Sequence, residues 1–263
     1  MSRRVKHVAA TLLSLLLSTT ALAPSVRSQG APSPDSTERS AQSWHVEVAP
    51  YLWFPGISGT VGAEGQQASI HVTAGDVLSN FNFGLMGAVE ARYHRVIIPI
   101  DFMWVKLTDN KGISDVEGVE SVHAKLNEDI FTPKIGFRVI ENNKFTADAL
   151  VGIRFWHVGT TLTLEPTQPN NKFYGGPNWV DGVEGARFQV VLGRNAELTI
   201  AGDAGGGGAK LDYQVVGLVG YKLKKMTLQG GWRYLVIHKS PEGGSFVNLA
   251  MSGVILGAVI SIK

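Results

Sequence analysis

Twelve charged residues fall at positions where a strand-like alternation would turn them all to one side of a sheet: Glu47, Glu90, Asp101, Asp148, Asp181 and Asp203, with Arg92, Lys134, Arg138, Arg154, Arg187 and Arg233. Six acids facing six bases in a narrow enclosure make ion pairs, and the reading that follows is a neutral, charge-paired plug that fixes strand register. The competing reading is a constricted passage for small solutes, and the balance of signs favours neither anions nor cations. Adjacent His238-Lys239-Ser240 offers a base and a hydroxyl for ester cleavage. Pro241 bends that segment, however, and the sequence supplies no third, orienting group. The expectation is therefore a protein that is not an enzyme. His45, His71, His94, His123 and His157 lack metal-ligand spacing, so neither metal nor cofactor is expected. The run Gly205 to Gly208 with Ala209-Lys210 lacks the Gly-Lys-Ser/Thr ending of a phosphate loop and reads as a tight hairpin.

The elements that must carry these charges are strands. Between Trp44 and Trp53 one face holds Trp44, Val46, Val48, Pro50 and Leu52 while His45, Glu47, Ala49, Tyr51 and Trp53 take the other. The same split recurs in Phe83 to Tyr93, Val96 to Leu107 and Phe145 to Trp156. These segments match the roughly 9–11 residues of a tilted membrane-spanning strand, longer than the five or six of a soluble sandwich. Short links at Tyr93 to Arg95, Glu141 to Lys144, Gly193 to Asn195 and Leu223 to Lys225 alternate with longer ones at Phe54 to Asn82, Thr108 to Val119, Glu165 to Asn178, Gly205 to Lys210 and Lys239 to Ser245. Nine links predict an all-β, closed antiparallel transmembrane barrel of about ten strands, with short periplasmic turns, long external loops and both termini periplasmic. Eight to twelve strands stay compatible, because Gly56 to Gly65 and Ala68 to Thr73 would make an extra external hairpin, followed by a helical turn at Ala74 to Asn80. Glu184 faces outward by this register, which requires either a bulge or a place near lipid headgroups. Trp44, Tyr93, Tyr213, Tyr221 and Trp232 are candidates for interfacial girdles.

Composition agrees. Of 263 residues 44% are hydrophobic and 17% charged, against about 25% charged in soluble domains. A net charge of +2 excludes nucleic acid as a partner, and the absence of cysteine excludes disulfides, thiolate metal sites and a lipoprotein anchor. Arg3, Arg4 and Lys6 ahead of an apolar run to Ala23 read as a signal peptide, cut after Ala23 or, preferably, after Ser28. The expected layout is signal peptide 1–28, disordered tail 29–43 and barrel 44–263.

Ala49-Pro50-Tyr51-Leu52-Trp53 with Gly56, Gly59 and Thr60-Val61-Gly62, then Phe83-Gly84-Leu85-Met86-Gly87, resembles a group of small, uncharacterised outer-membrane β-barrel proteins of Gram-negative bacteria within the OmpA/OmpW-like barrel superfamily. Trp179-Val180-Asp181, Gly185-Ala186-Arg187, Asp203-Ala204-Gly205, Trp232-Arg233-Tyr234-Leu235 and Met251-Ser252-Gly253 extend the likeness along the chain. The resemblance implies residence in the outer membrane, with its lipids and assembly machinery as partners. One departure is the ending Ile260-Ser261-Ile262-Lys263, where such proteins finish on an aromatic residue. A monomer is the expected state. The expected role is structural or adhesive, then a narrow porin-like channel, and third a lipid-modifying hydrolase.

Overall fold

The computed structural model describes residues 44–63, 66–109, 121–165, 172–175, 177–242 and 245–262, so the expected signal peptide and tail lie outside the described residues. The strands are β1 (His45–Ala63), β2 (Gln66–Val72), β3 (Phe81–Tyr93), β4 (Val96–Asp109), β5 (Ser121–Glu141) and β6 (Phe145–Glu165), continuing with β7 (Lys172–Gly175), β8 (Asn178–Val191), β9 (Ala196–Gly207), β10 (Leu211–Lys222), β11 (Thr227–Glu242) and β12 (Ser245–Ser261). A single described helix, α1 (Ala74–Ser79), starts at Thr73, whose hydroxyl accepts the Asp76 amide while Asp76 accepts the Thr73 amide.

Ten of these strands form a closed antiparallel barrel in the order β1-β3-β4-β5-β6-β8-β9-β10-β11-β12, with β12 paired back onto β1 from Glu47↔Ser261 to Ala63↔Ser245. Strands β2 and β7 are short additions on the upper parts of β1 and β6. Following the register from Val48 around the wall returns to β1 at Thr60, twelve residues further along, which sets the strand tilt.

Alternation sorts the side chains as lipid and lumen require. Outward, β6 exposes Val151, Ile153 and Phe155, β5 exposes Phe131, Ile135 and Phe137, and β12 exposes Val254, Leu256 and Ile260. A row of polar side chains then crosses four strands on the outer face, with His157 Nε2 3.9 Å from Asp129 between β6 and β5. Trp104 Nε1 donates to Asn127, Asn127 Nδ2 donates to Asp129, and His157 Nδ1 lies 2.5 Å from Asn178 Oδ1. This row marks the long-loop edge of the apolar belt, and Trp44 against Tyr93, with ring centroids 5.3 Å apart, marks the short-turn edge.

The four short turns fall where alternation puts them, and Ala74 to Asn80 is helical. Two long links are shorter than the sequence suggests, and a third, Gly205 to Lys210, is the tight hairpin expected. β1 continues through the glycine-rich Gly56 to Gly62 because β12 pairs with it throughout, and β2 folds back on it as the extra hairpin. Strands β11 and β12 approach one another to Glu242↔Ser245 across a register shift. Most of Thr108 to Val119 and the start of the link after Glu165 lie outside the described residues.

One line of the wall is interrupted. The β1–β3 ladder runs from His45↔Arg92 to Pro50↔Gly87 and ends there. Above it the Trp53 amide, which faces β3, donates to Met86 Sδ at 3.3 Å instead of to a carbonyl. Pro55, two residues on along the same edge, has no amide to lose. Val77 of α1 is buried against the core behind this seam.

Close backbone approach elsewhere in the wall gives a paired test. A Cβ on Gly231 would lie 1.9 Å from the Gly217 carbonyl oxygen, whereas one on Gly217 would meet nothing within 4 Å. Gly231→Ala is expected to lower barrel stability by about 1–3 kcal/mol and Gly217→Ala to leave it within about 0.5 kcal/mol, read from reversible denaturant unfolding in lipid.

Candidate functional site

The lumen is filled in two kinds of layer. Toward the long loops it is dry: Trp53, Met103, Ile130, Trp156, Leu235 and Met251 belong to one buried cluster, and the Trp156 and Trp179 rings stack at 5.3 Å with 10° between planes. Strand alternation puts these residues in the lumen, where Trp156 of β6 and Trp179 of β8 stack as cross-strand neighbours.

Beneath the rings lies a lattice of ion pairs. The Arg154 guanidinium is 0% exposed and bridges Asp212 and Asp203, the latter at 2.7 Å, while its Nε donates to Thr132 Oγ1 at 3.2 Å. Asp212 also accepts Trp156 Nε1 at 2.8 Å, which ties the lattice to the dry layer. Asp203 further accepts the Lys134 ammonium and, at 2.7 Å, the Gln214 amide. Nearer the seam, Arg233 donates to Tyr51 at 3.1 Å and to Asp101 at 3.4 Å, Tyr51 donates to Asp101 at 2.9 Å, and the guanidinium sits 4.8 Å from the centre of the Trp53 ring. A third group joins Arg138 to Asp148 at 2.8 Å and Arg187 to Asp148 at 2.8 Å, with Arg187 reaching Glu90 at 3.0 Å. Arg92 and Arg138 both meet Glu141 near the short turns.

Ten of the twelve expected lumen charges therefore pair with opposite charges: Glu90, Arg92, Asp101, Lys134, Arg138, Asp148, Arg154, Arg187, Asp203 and Arg233. Two differ. Glu47 sits at the short-turn rim with His45 and Ser261, both at 3.1 Å. Asp181 is buried but has no cationic partner among the described residues; it accepts Trp179 Nε1 at 2.8 Å and the Ala209 amide at 2.7 Å. Its carboxylate pins the tight β9–β10 turn, and Lys239 reinforces that turn by donating to Gly208 O at 2.9 Å. Sequence reasoning missed Asp212, Glu141, Thr132 and Gln214, and it placed Tyr51 on the inward face without giving it a role. Alternation within Leu211 to Lys222 does place Asp212 and Gln214 inward, so their signal was present in the same parity.

At the short-turn end the lumen widens into a cavity of about 440 Å³ whose lining includes His45, Tyr51, Arg187, Gln214 and Lys222. The Gln214 side-chain oxygen and Arg233 Nε are buried beside it with no hydrogen-bond partner among the described residues.

On the outer face at the long-loop end, His238 is exposed and its Nδ1 lies 3.4 Å from Asn248 Oδ1 on the neighbouring strand. This supplies an orienting group that the sequence order alone did not reveal. Among the described residues no cluster of three His, Asp or Glu is arranged to hold a metal ion.

No protein-family model matches the chain, and no curated protein does. Among solved structures, Ail, the attachment invasion locus protein of Yersinia pestis, is 9% identical at a TM-score of 0.37, covering 83% of this chain and 98% of its own. Neisserial surface protein A is 13% identical at 0.31, covering 82% and 96%, and the Ralstonia pickettii toluene transporter TbuX is 8% identical at 0.33, covering 84% and 90%. Likeness at these scores carries nothing about activity. The assignment stands on this chain's own closed ladder and apolar belt: it is a ten-stranded transmembrane β-barrel of the outer-membrane type, and the outer membrane is its location.

Arg154→Ala strands Asp212 in a buried layer and leaves Asp203 with Lys134 as its one cation, and is expected to cost about 3–5 kcal/mol. Arg92→Ala, at the half-exposed pair with Glu141, should cost no more than about 1 kcal/mol. Tryptophan-fluorescence unfolding in lipid or detergent measures both, and equal midpoints would contradict the lattice's structural weight.

Proposed function

We propose that this protein is a non-conducting outer-membrane barrel with a structural or adhesive role. One observation carries the reading: the Arg154 guanidinium, fully buried between Asp203 and Asp212, spans the lumen directly beneath the stacked tryptophans. A permeant ion would have to break charge-assisted bonds in a desolvated layer and then cross an apolar one. The cavity at the short-turn end is a blind vestibule under that barrier. With short turns in the periplasm, as is usual for such barrels, β5, β6 and the β1–β2 and β11–β12 hairpins project beyond the belt on the cell exterior. A rigid, plugged cylinder suits presentation of those projections to another surface.

The narrow-channel reading is separated from this one by conductance. Refolded protein in planar bilayers is expected to give no discrete steps, and reproducible steps from the wild-type chain would replace the scaffold with a pore.

His238, with Asn248 beside it, favours a second reading as a lipid-ester hydrolase. Asn248 Oδ1 would accept the Nδ1 proton and leave Nε2 free to take the proton of Ser240 as its oxygen attacks an ester carbonyl; that proton would pass to the departing alcohol, and water would then release the acyl group from Ser240 as the acid. A fluorophosphonate probe should then label Ser240 in the wild type and fail in His238→Ala. An unlabelled wild-type protein retires this reading.

A further inference from the structure

Among the described residues, one acidic or basic side chain lies within the apolar belt and faces outward: Glu184, midway along β8. No bulge explains it, because β8 keeps unbroken register with both neighbours, pairing Glu184 with Val151 of β6 and Ala204 of β9. The polar rim lies above it, at Asn178 on the same strand. Glu184 is exposed and has no hydrogen-bond or ion partner among the described residues. A carboxyl held against hydrocarbon without a partner is costly, so its retention points to something that satisfies it.

The surroundings narrow the choice. Gly182, Ala186, Gly202 and Ala204 share the outward face of β8 and β9 and make a flat patch around Glu184, bounded along the strands by Val180, Phe188 and Ile200. Across this floor Ala204 pairs onward with Tyr213 of β10, two strand spacings or about 10 Å from Glu184. Tyr213 faces outward and packs against Tyr234, with ring centroids 6.1 Å apart. Two adjacent phenols keep one O–H free even when one donates to the other. An acceptor therefore stands on one side of a flat floor and a donor on the other. A two-fold axis through the floor exchanges the two sides, so that each acceptor meets the donor of the second copy.

We propose that the β8–β9 face is the contact surface of a symmetric dimer of this chain, in which Glu184 accepts a hydrogen bond from the partner's Tyr213 and vice versa. A lipid headgroup is a poorer occupant, since its cation would have to descend below the rim formed by Asp129, His157 and Asn178. The flat floor lets two walls approach closely, which is what association within a bilayer needs, because burial of apolar surface gives no drive there.

The chain has no cysteine, so single-cysteine probes read the contact directly. In liposomes at low protein-to-lipid ratio, Ala204→Cys should cross-link between copies, whereas Leu52→Cys, exposed on β1 across the barrel, should not. Glu184→Leu and Tyr213→Phe, made in the Ala204→Cys background, should each weaken the dimer at least about tenfold, and Glu184→Gln, which keeps an acceptor oxygen, should retain it. Heat-dependent gel mobility of every variant reports barrel closure, and Glu184→Leu should stabilise the closed barrel while losing the dimer. Cross-linking at Ala204 no greater than at Leu52, or undiminished in Glu184→Leu, overturns the proposal. Loss of heat-dependent mobility in the wild type would instead remove the membrane-barrel reading beneath it.

Discussion

Everything in this molecule follows from the need to give each backbone amide and carbonyl a partner where water is absent. A sheet meets that need only by closing, and the pairing of β1 with β12 along most of both strands is that closure. Closure with a twelve-residue stagger tilts the strands and sets a narrow bore, and a narrow bore decides what the inward side chains do. They cannot be solvated singly. Acids and bases there must bond to one another, and large side chains must pack against their neighbours.

The two kinds of lumen layer depend on each other. Trp156 belongs to the dry layer by its ring and to the ionic layer by its Nε1, which donates to Asp212. Trp53 joins the layers in another way, with its ring face against the Arg233 guanidinium. The Trp156 indole N–H and the Arg233 guanidinium thereby tie the charged lattice to the apolar cap.

The barrel was legible in the sequence because inward and outward positions alternate with a period of two, a local signal that each strand carries by itself. Glu90, Asp148 and Arg187 could be placed inward from their own neighbours alone. Which acid meets which base was not legible. Lys134 and Asp203, or Arg154 and Asp212, come together through the stagger of the whole wall, and no window of sequence encodes that quantity. The same limit explains Asp181, whose partner is a turn amide rather than a cation. The upper half of β1 falls within the Phe54 to Asn82 link by sequence, with an extra hairpin as the alternative, whereas pairing with both β12 and β2 makes it a continuous part of the wall. The polar row from Trp104 to Asn178 escaped notice because each member is unremarkable until four strands align it.

The interrupted ladder between β1 and β3 makes the cylinder mechanically uneven. Most of the circumference is laced by backbone bonds that share a load, but above Pro50 and Gly87 the two strands are held by a methionine sulfur, buried side chains and a short helix. When neighbouring acyl chains squeeze or stretch the wall, strain will concentrate along this line, and the cross-section will breathe there first. The barrel is in that respect less a pipe than a rolled sheet with a soft crease, and the crease lies beside the driest part of its interior.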